Sequence, residues 1–563
     1  MSHQFSLDLP ASASVFEETG LAGASADQRG AVFTRREVVD FILNLVGYTE
    51  DAPLHTYRLL EPACGHGDFL LPAVDRLLRS ARREKLALAN LHQCVVAAEV
   101  HPESMRQTRM RLADLLSTHG IGGGGAEDIL DHWLIEGDFL LADICGAFSH
   151  VVGNPPYVRP ESIPPRLMAE YRVRYATIYD RADLYIPFFE RGLKLLAPGG
   201  KLGFICSDRW MKNRYGAPLR SLVARDYHLA CYVDMVDTPA FTSEVIAYPA
   251  ITVIERAPGV ITRIAHRPEI NAEALRALAQ NLTERQSSSV CIEAEAIARG
   301  REPWMLDTSA QTKLVRRLEA AYPTLAEAGC MVGIGVATGA DHVFIGKEDA
   351  LDVEPERRLP LVTTRDIASG MIEWQGKMVL NPFEDDGSLA ELECYPRFAA
   401  YLAAHAEVIG KRHVARSNPR AWYRTIDRID SRLTTTPKLL IPDIKGDAHV
   451  VLDAGHYYPH HNLYYVTSSD WPPPLLQAVL SAGVAKLFVS AYSVRMRGGH
   501  LRFQAQYLRR IRIPRWSELP TSIRNGIRVA VADGNIGEIR QSVFDAYGLD
   551  AEERNLMFSL LEN

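Results

Sequence analysis

Between Tyr57 and Arg256 the chain alternates short β-rich runs with helical ones. YRLLE, CVVAAE, HVVGN, KLGFICS, CYVDMV and PAITVIE read as strands, and FLLPAVDRLLRSARR and LYIPFFERGLKLL as helices, the second halted by PGG. Parallel strands need long crossovers and helices usually supply them, so this rhythm implies an α/β fold with a parallel sheet covered on both faces. Upstream, VFTRREVVDFILNLV predicts a helix with Thr34 as N-cap and Glu37 completing a capping box. Its Val38, Phe41, Ile42 and Leu45 share one face. GIGGGGAED at 120–128 reads as a flexible loop.

At 563 residues the chain exceeds one ordinary domain. Residues 1–29, rich in Ala, Ser and Gly, read as a loose tail. Residues 30–300 form the α/β domain, with 266–300 helical and connecting, and 301–563 form a second, mixed α+β domain. No apolar run reads as long enough to span a bilayer and the N-terminus lacks a leader pattern, so a cytoplasmic protein with no membrane partner is expected. The eight cysteines include no CxxC pair, which gives no reason to expect a metal site or a disulfide framework.

Chemistry concentrates at predicted strand ends. In LLEPACGHGDFLLPAV a strand feeds a turn holding Gly65 and Gly67 that opens a helix, which lets backbone approach a ligand. Phe69 or Leu70 stands where a dinucleotide fingerprint needs its third glycine, so NAD is disfavoured. Glu99 ends the next strand, where a carboxylate can accept from ribose hydroxyls. Asp138 and Phe139 follow a further strand, suited to an adenine amine and to packing on its base. In HVVGNPPYVRPE the strand pattern stops at Asn154, Pro155, Pro156 and Tyr157. The Asn154 side-chain oxygen and the Pro155 carbonyl offer two fixed acceptors, which suit the two hydrogens of an NH2 group, and the Tyr157 ring can stack on the base bearing it.

FTRREVVDF, EPACGHGDF, AAEV, GDF and VVGNPPY, in that order, resemble the gamma-class (TaqI-type) amino-group DNA methyltransferases, adenine-N6 enzymes of restriction-modification systems. The resemblance covers roughly residues 30–256. It continues more weakly through GVATGADHVFIG, WYRTIDR and LRFQAQYLRRIRIP, which look like that family's target-recognition region. It implies a Rossmann-like S-adenosylmethionine-dependent methyltransferase domain followed by a C-terminal DNA target-recognition domain. Thr34 and the loop Glu61, Pro62, Ala63, Cys64, Gly65 to Gly67 would hold the methionine part of S-adenosylmethionine. Glu99 would bind its ribose, Asp138 and Phe139 its adenine, and Leu184 and Tyr185 would close the pocket. Asn154 and Pro155 would grip the target amine and Tyr157 would stack on the flipped base, with Phe241 as a second stacking ring. The partner would be double-stranded DNA, and a separate endonuclease would act on the same site.

The net charge of −7 hides local asymmetry. Lys411, Arg412, Arg416, Arg420, Arg424, Arg428, Arg432 and Lys438 cluster around Trp422 and Tyr423, and Arg495, Arg497, Arg502, Arg509, Arg510, Arg512 and Arg515 form a second group. Both read as DNA contacts. His456, His460 and His461 lack acidic or cysteine companions at ligand spacing and read as a wet turn. Two alternatives stand beside DNA methylation: an NPPY-type methyltransferase acting on RNA guanine or release-factor glutamine, and a DNA-binding specificity subunit with an inactive catalytic domain.

Overall fold

The computed structural model describes residues 32–87, 91–242, 249–283, 291–295, 297–298, 300–304, 306, 309–445, 448–493 and 500–562. The expected tail at 1–29 lies outside them. The chain divides into two compact units, Met1–Ser309 and Ala310–Asn563.

The first unit is built on a nine-stranded sheet. Its strands are β1 (Leu59–Glu61), β2 (Val95–Glu99), β3 (Leu134–Glu136), β4 (Phe148–Gly153), β5 (Leu196–Ser207), β6 (His228–Asp234), β7 (Pro249–Glu255), β8 (Ile261–His266) and β9 (Ile292–Glu295), in the order β3-β2-β1-β4-β5-β7-β6-β8-β9. β3, β2, β1, β4 and β5 pair in parallel. β7 runs antiparallel to both β5 and β6, so the sheet is mixed and not wholly parallel. Among the described residues between β6 and β7 there is no crossover helix, and a short return reverses the strand. β8 and β9 extend the sheet, and β9 falls within the segment 266–300 expected to be helical, whose described residues also hold the helix Ala272–Thr283.

Two cores sandwich the sheet. One packs helices Arg36–Leu45, Leu70–Arg83, Pro102–Thr118 and Ala272–Thr283; the other packs Pro165–Arg174, Tyr185–Lys194 and Ala217–Asp226. β2 and β4 flank β1 on opposite sides, so the winding reverses there and leaves a crevice beyond the strand C-termini.

Three local expectations are corrected. The first helix is capped by Arg35, with no side-chain bond, because Thr34 is extended in a β-bridge with Phe241. The glycine run opens a helix, Gly124–Trp133, whose Ala126, Ile129, Leu130 and Trp133 are buried against the first core. The PGG stretch lies inside β5 and does not follow the helix directly.

The second unit contains two four-stranded sheets. One is antiparallel, ordered Cys330–Ile334, Leu463–Ser468, Lys438–Pro442, Val451–Asp453; the other is ordered Ile345–Lys347, Lys377–Leu380, Arg358–Val362, Tyr458–Pro459. Helices including Thr521–Asp533, Ile536–Ala546 and Ala551–Glu562 complete it. Contrary to expectation, the helical stretch Pro473–Tyr492 is long and apolar enough to cross a bilayer. It is 89% buried within the fold, the profile of a core helix.

Candidate functional site

The crevice at the β1/β4 reversal is a cavity whose wall includes Val32–Thr34, the turn after β1, the end of β2, Asp138, the segment after β4 and side chains of the helices beyond, Tyr171 and Phe188 among them. The turn is shaped by Gly65 (φ +53) and Gly67 (φ +87), a region that side-chain-bearing residues rarely enter. Its amide at Gly65 donates to Glu99 Oε2 at 2.8 Å, and His101 N donates to Glu99 Oε1 at 2.9 Å, so one carboxylate fastens β2 to the turn. The Thr108 hydroxyl donates to the Gly65 carbonyl at 2.8 Å and holds the turn from the other side.

Glu61, Asp68, Glu99 and Asp138 all line this cavity, and no lysine or arginine is among its described lining residues. Burial, together with the Asp68 and Glu99 carboxylates, pushes the Glu61 carboxyl well above its usual range, and Glu61 Oε2 is buried without a hydrogen-bond partner. Burial also raises Asp68, although Arg111, His66 and the Thr34 amide oppose it. A cluster of this sign is suited to a cation and repels phosphates.

Asp138 Oδ1 accepts from Leu140 N at 2.8 Å and Oδ2 from the Tyr171 hydroxyl at 2.6 Å. Burial raises its pKa against these bonds. Each carboxylate oxygen keeps a lone pair beyond these partners.

Asn154 stands at the end of β4. Its Nδ2 donates to the Val32 carbonyl at 2.9 Å and to the Thr34 hydroxyl at 3.3 Å, while its Oδ1 is buried without a partner. A carbonyl can only accept, so the contact with Val32 fixes which way the amide faces. The result is an oriented, desolvated acceptor.

Thr34, Glu61, Pro62, Ala63, Cys64, Gly65, Glu99, Asp138, Asn154, Pro156 and Leu184 line the cavity, as their sequence positions suggested. Gly67, Pro155, Tyr157, Tyr185, Phe139 and Phe241 do not. Tyr157 is half-buried beside Tyr185, ring centroids 6.4 Å apart, and its hydroxyl is buried without a partner. The Phe139 ring turns away from Asp138 into the core, 5.1 Å from Phe188 and under Arg191, so Phe188 lines the cavity instead. The Phe241 ring is 8% exposed and packs in the first core, although its backbone pairs with Thr34. Sequence reasoning missed Tyr171 and Phe188, which sit on helices without a motif. It also missed Asp68, which directly follows the Glu61 to Gly67 loop.

Within the second unit several residues read as DNA contacts have partners in the fold. Arg412 donates to the carbonyls of Thr338 (2.7 Å) and Trp422 (2.9 Å), a structural role. Tyr423 is buried with its hydroxyl on the Ala390 carbonyl at 2.8 Å, and Trp422 packs against the same core. Arg502 pairs with Asp443, Arg512 with Glu327 and Arg432 with Asp430. Lys438 is fully buried against Asp453 at 2.6 Å. Arg416, Arg420 and Arg428 are exposed, and Arg424 is half-buried. Arg495 and Arg497 lie outside the described residues.

The Eco57I restriction-modification methylase family matches residues 127–241. The chain is 56% identical over 537 residues to the Type II methyltransferase M.PaeR7I of Pseudomonas aeruginosa, covering 94% of each chain. It is 52% identical over 541 residues to M.XhoI of Xanthomonas vasicola, covering 94% of this chain and 99% of that one. Its fold resembles that of the Type IIL restriction-modification enzyme MmeI, solved in complex with DNA, with a TM-score of 0.61 at 12% identity over 92% of this chain and 77% of that one. Identity of this extent over nearly the whole length settles the family: the chain belongs to the Type II methyltransferases of restriction-modification systems.

Proposed function

We propose that the protein transfers a methyl group from S-adenosylmethionine to the N6 amine of an adenine extruded from duplex DNA. The observation that carries this reading is the partnerless Asn154 Oδ1, oriented by its amide in the wall of a cavity lined by four carboxyl groups. The residues present fit the cofactor: it is a cation without phosphates, and Glu61, Asp68, Glu99 and Asp138 surround a space with no lysine or arginine among its described lining residues. Glu61 and Asp68 would face its ammonium group, Glu99 its ribose and Asp138 its adenine amine, with Phe188 and Leu184 against the ring.

Bound there, the cofactor supplies an activated methyl on a sulfonium. The protein contributes position and electrostatics. Asn154 Oδ1 and the Pro155 carbonyl accept the two amine hydrogens, which draws the nitrogen lone pair out of the ring and steadies the nitrogen as it becomes tetrahedral. With the cofactor bound, the amine nitrogen held by Asn154 and Pro155 would take its methyl group, the electron pair of the broken carbon–sulfur bond would stay with the cofactor, and the surplus amine proton would pass to solvent. Tyr157 replaces stacking lost when the base leaves the helix. The exposed Arg416, Arg420 and Arg428 would meet phosphates. A cognate endonuclease would be a separate protein protected against by this modification.

Transfer of labelled methyl to unmethylated duplex DNA, followed by nucleoside analysis, tests the proposal. Label in N6-methyladenine is the expected result. Label in a cytosine, in RNA or in protein would overturn it.

A further inference from the structure

We propose that Asp341, His460 and His461 bind one divalent transition-metal ion of the zinc class within the second unit. A ligand atom from each lies within 4.8 Å of the other two. The carboxylate that the local sequence does not supply comes from 119 residues upstream: Asp341 Oδ2 stands 3.1 Å from His460 Nε2. Zinc bonds of about 2.0–2.1 Å in a tetrahedron put neighbouring ligand atoms roughly 3.3 Å apart, so this spacing is already that of a coordination edge.

Three further features point to a ligand. His461 Nδ1 is buried without a hydrogen-bond partner, beside the His460 ring at a centroid distance of 4.0 Å. Asp341 Oδ1 accepts from the Thr338 hydroxyl at 2.6 Å, which orients the carboxylate and leaves Oδ2 toward the histidines. His460 is 11% exposed and Asp341 45%, so the site opens to water on the Asp341 side and has room for a solvent ligand.

The frame is set without the ion. His460 pairs with Val336, and His461 N donates to the Val336 carbonyl at 3.0 Å. The ion would then clip the 336–341 turn to the histidine turn. That turn in turn holds Arg412 through Thr338 and Asp427 through the Ala337 amide. A second group, His92, Asp128 and His132, carries less: its two rings are stacked nearly parallel at 10°, and His132 Nδ1 already donates to the Asp128 carbonyl at 2.7 Å.

The test uses the full chain, stripped with a chelator, dialysed against micromolar zinc and assayed for bound metal and for Tm. One equivalent of zinc and a raised Tm are expected. His461→Ala, which breaks no hydrogen bond of that ring nitrogen, and Asp341→Asn should each lose the equivalent and the Tm rise, while His132→Ala keeps both. Zinc content unchanged in His461→Ala and Asp341→Asn, loss only in His132→Ala, or no zinc bound by the parent would overturn the assignment.

Discussion

The side-chain amide of Asn154 donates to the Thr34 hydroxyl at 3.3 Å, across 120 residues of sequence, and so turns its oxygen toward an unfilled partner. Asn154→Ala removes that acceptor without touching the carboxylates around the cavity. We expect kcat to fall by about 10²–10³-fold, with DNA affinity within a few-fold of the parent. Single-turnover methylation and a DNA-binding titration check this, and equal losses in both would refute the separation of roles.

Glu99 ties two backbone amides to its carboxylate. Glu99→Ala frees the Gly65 turn and removes a hydrogen-bond acceptor for the cofactor. A loss of about 1.5–3 kcal/mol in cofactor binding is expected, roughly a ten- to hundredfold rise in Kd. Calorimetry with S-adenosylmethionine reads it directly, and Glu99→Gln, which keeps one acceptor, should fall between.

The buried Tyr157 hydroxyl has no partner, so Tyr157→Phe removes a desolvated polar group and should leave both Tm and kcat near the parent's. Tyr157→Ala removes the ring and should weaken methylation by a stacking term of about 1–3 kcal/mol. A Phe variant as impaired as the Ala variant would assign the work to the hydroxyl.

Asp208 Oδ1 is buried without a partner, and burial, aided by Asp234, raises its pKa from 3.8 to about 6 against Lys212 and the Tyr232 hydroxyl. The folded state therefore holds a proton that the unfolded chain releases. Stability from this group is complete below 3.8 and is lost as pH rises to about 6. Asp208→Asn removes the ionisation while keeping an acceptor for Tyr232. Its Tm advantage over the parent should grow between pH 4.5 and 7.5 in thermal melts; a constant difference would contradict the shift. Asp183, raised to about 6 chiefly by burial, keeps its own share in both proteins.

Lys438 and Asp453 form a fully buried pair. Lys438→Met strands the carboxylate and should destabilise the second unit by about 3–5 kcal/mol. Lys438→Met combined with Asp453→Asn should lose less, since no charge is left buried. Denaturant unfolding of both variants measures the difference.

The parts of the site legible in the sequence are those fixed by short-range pattern. Glu61, Glu99, Asp138 and Asn154 each end an apolar run, and a strand end at this kind of winding reversal faces the ligand crevice. What stayed hidden depends on distant partners. Thr34 looks like a helix cap until Phe241 pairs with it, and Arg502 and Arg512 look free until Asp443 and Glu327 arrive. His460 looked solitary because its carboxylate lies 119 positions away. Local propensity also misplaced the glycine run, whose helix is secured by burying Trp133 and Ile129.

The bonds from Arg35 N to the Ala240 carbonyl (3.0 Å) and from Thr242 N to the Phe33 carbonyl (3.0 Å) join the first described residues of the first unit to a strip made two hundred residues later. A nascent polypeptide leaving the ribosome cannot close this wall of the cavity until that strip has emerged. Before residue 240 is made the 33–35 segment lacks both bonds, so this side of the cavity is fastened late in synthesis, after most of the sheet has been made.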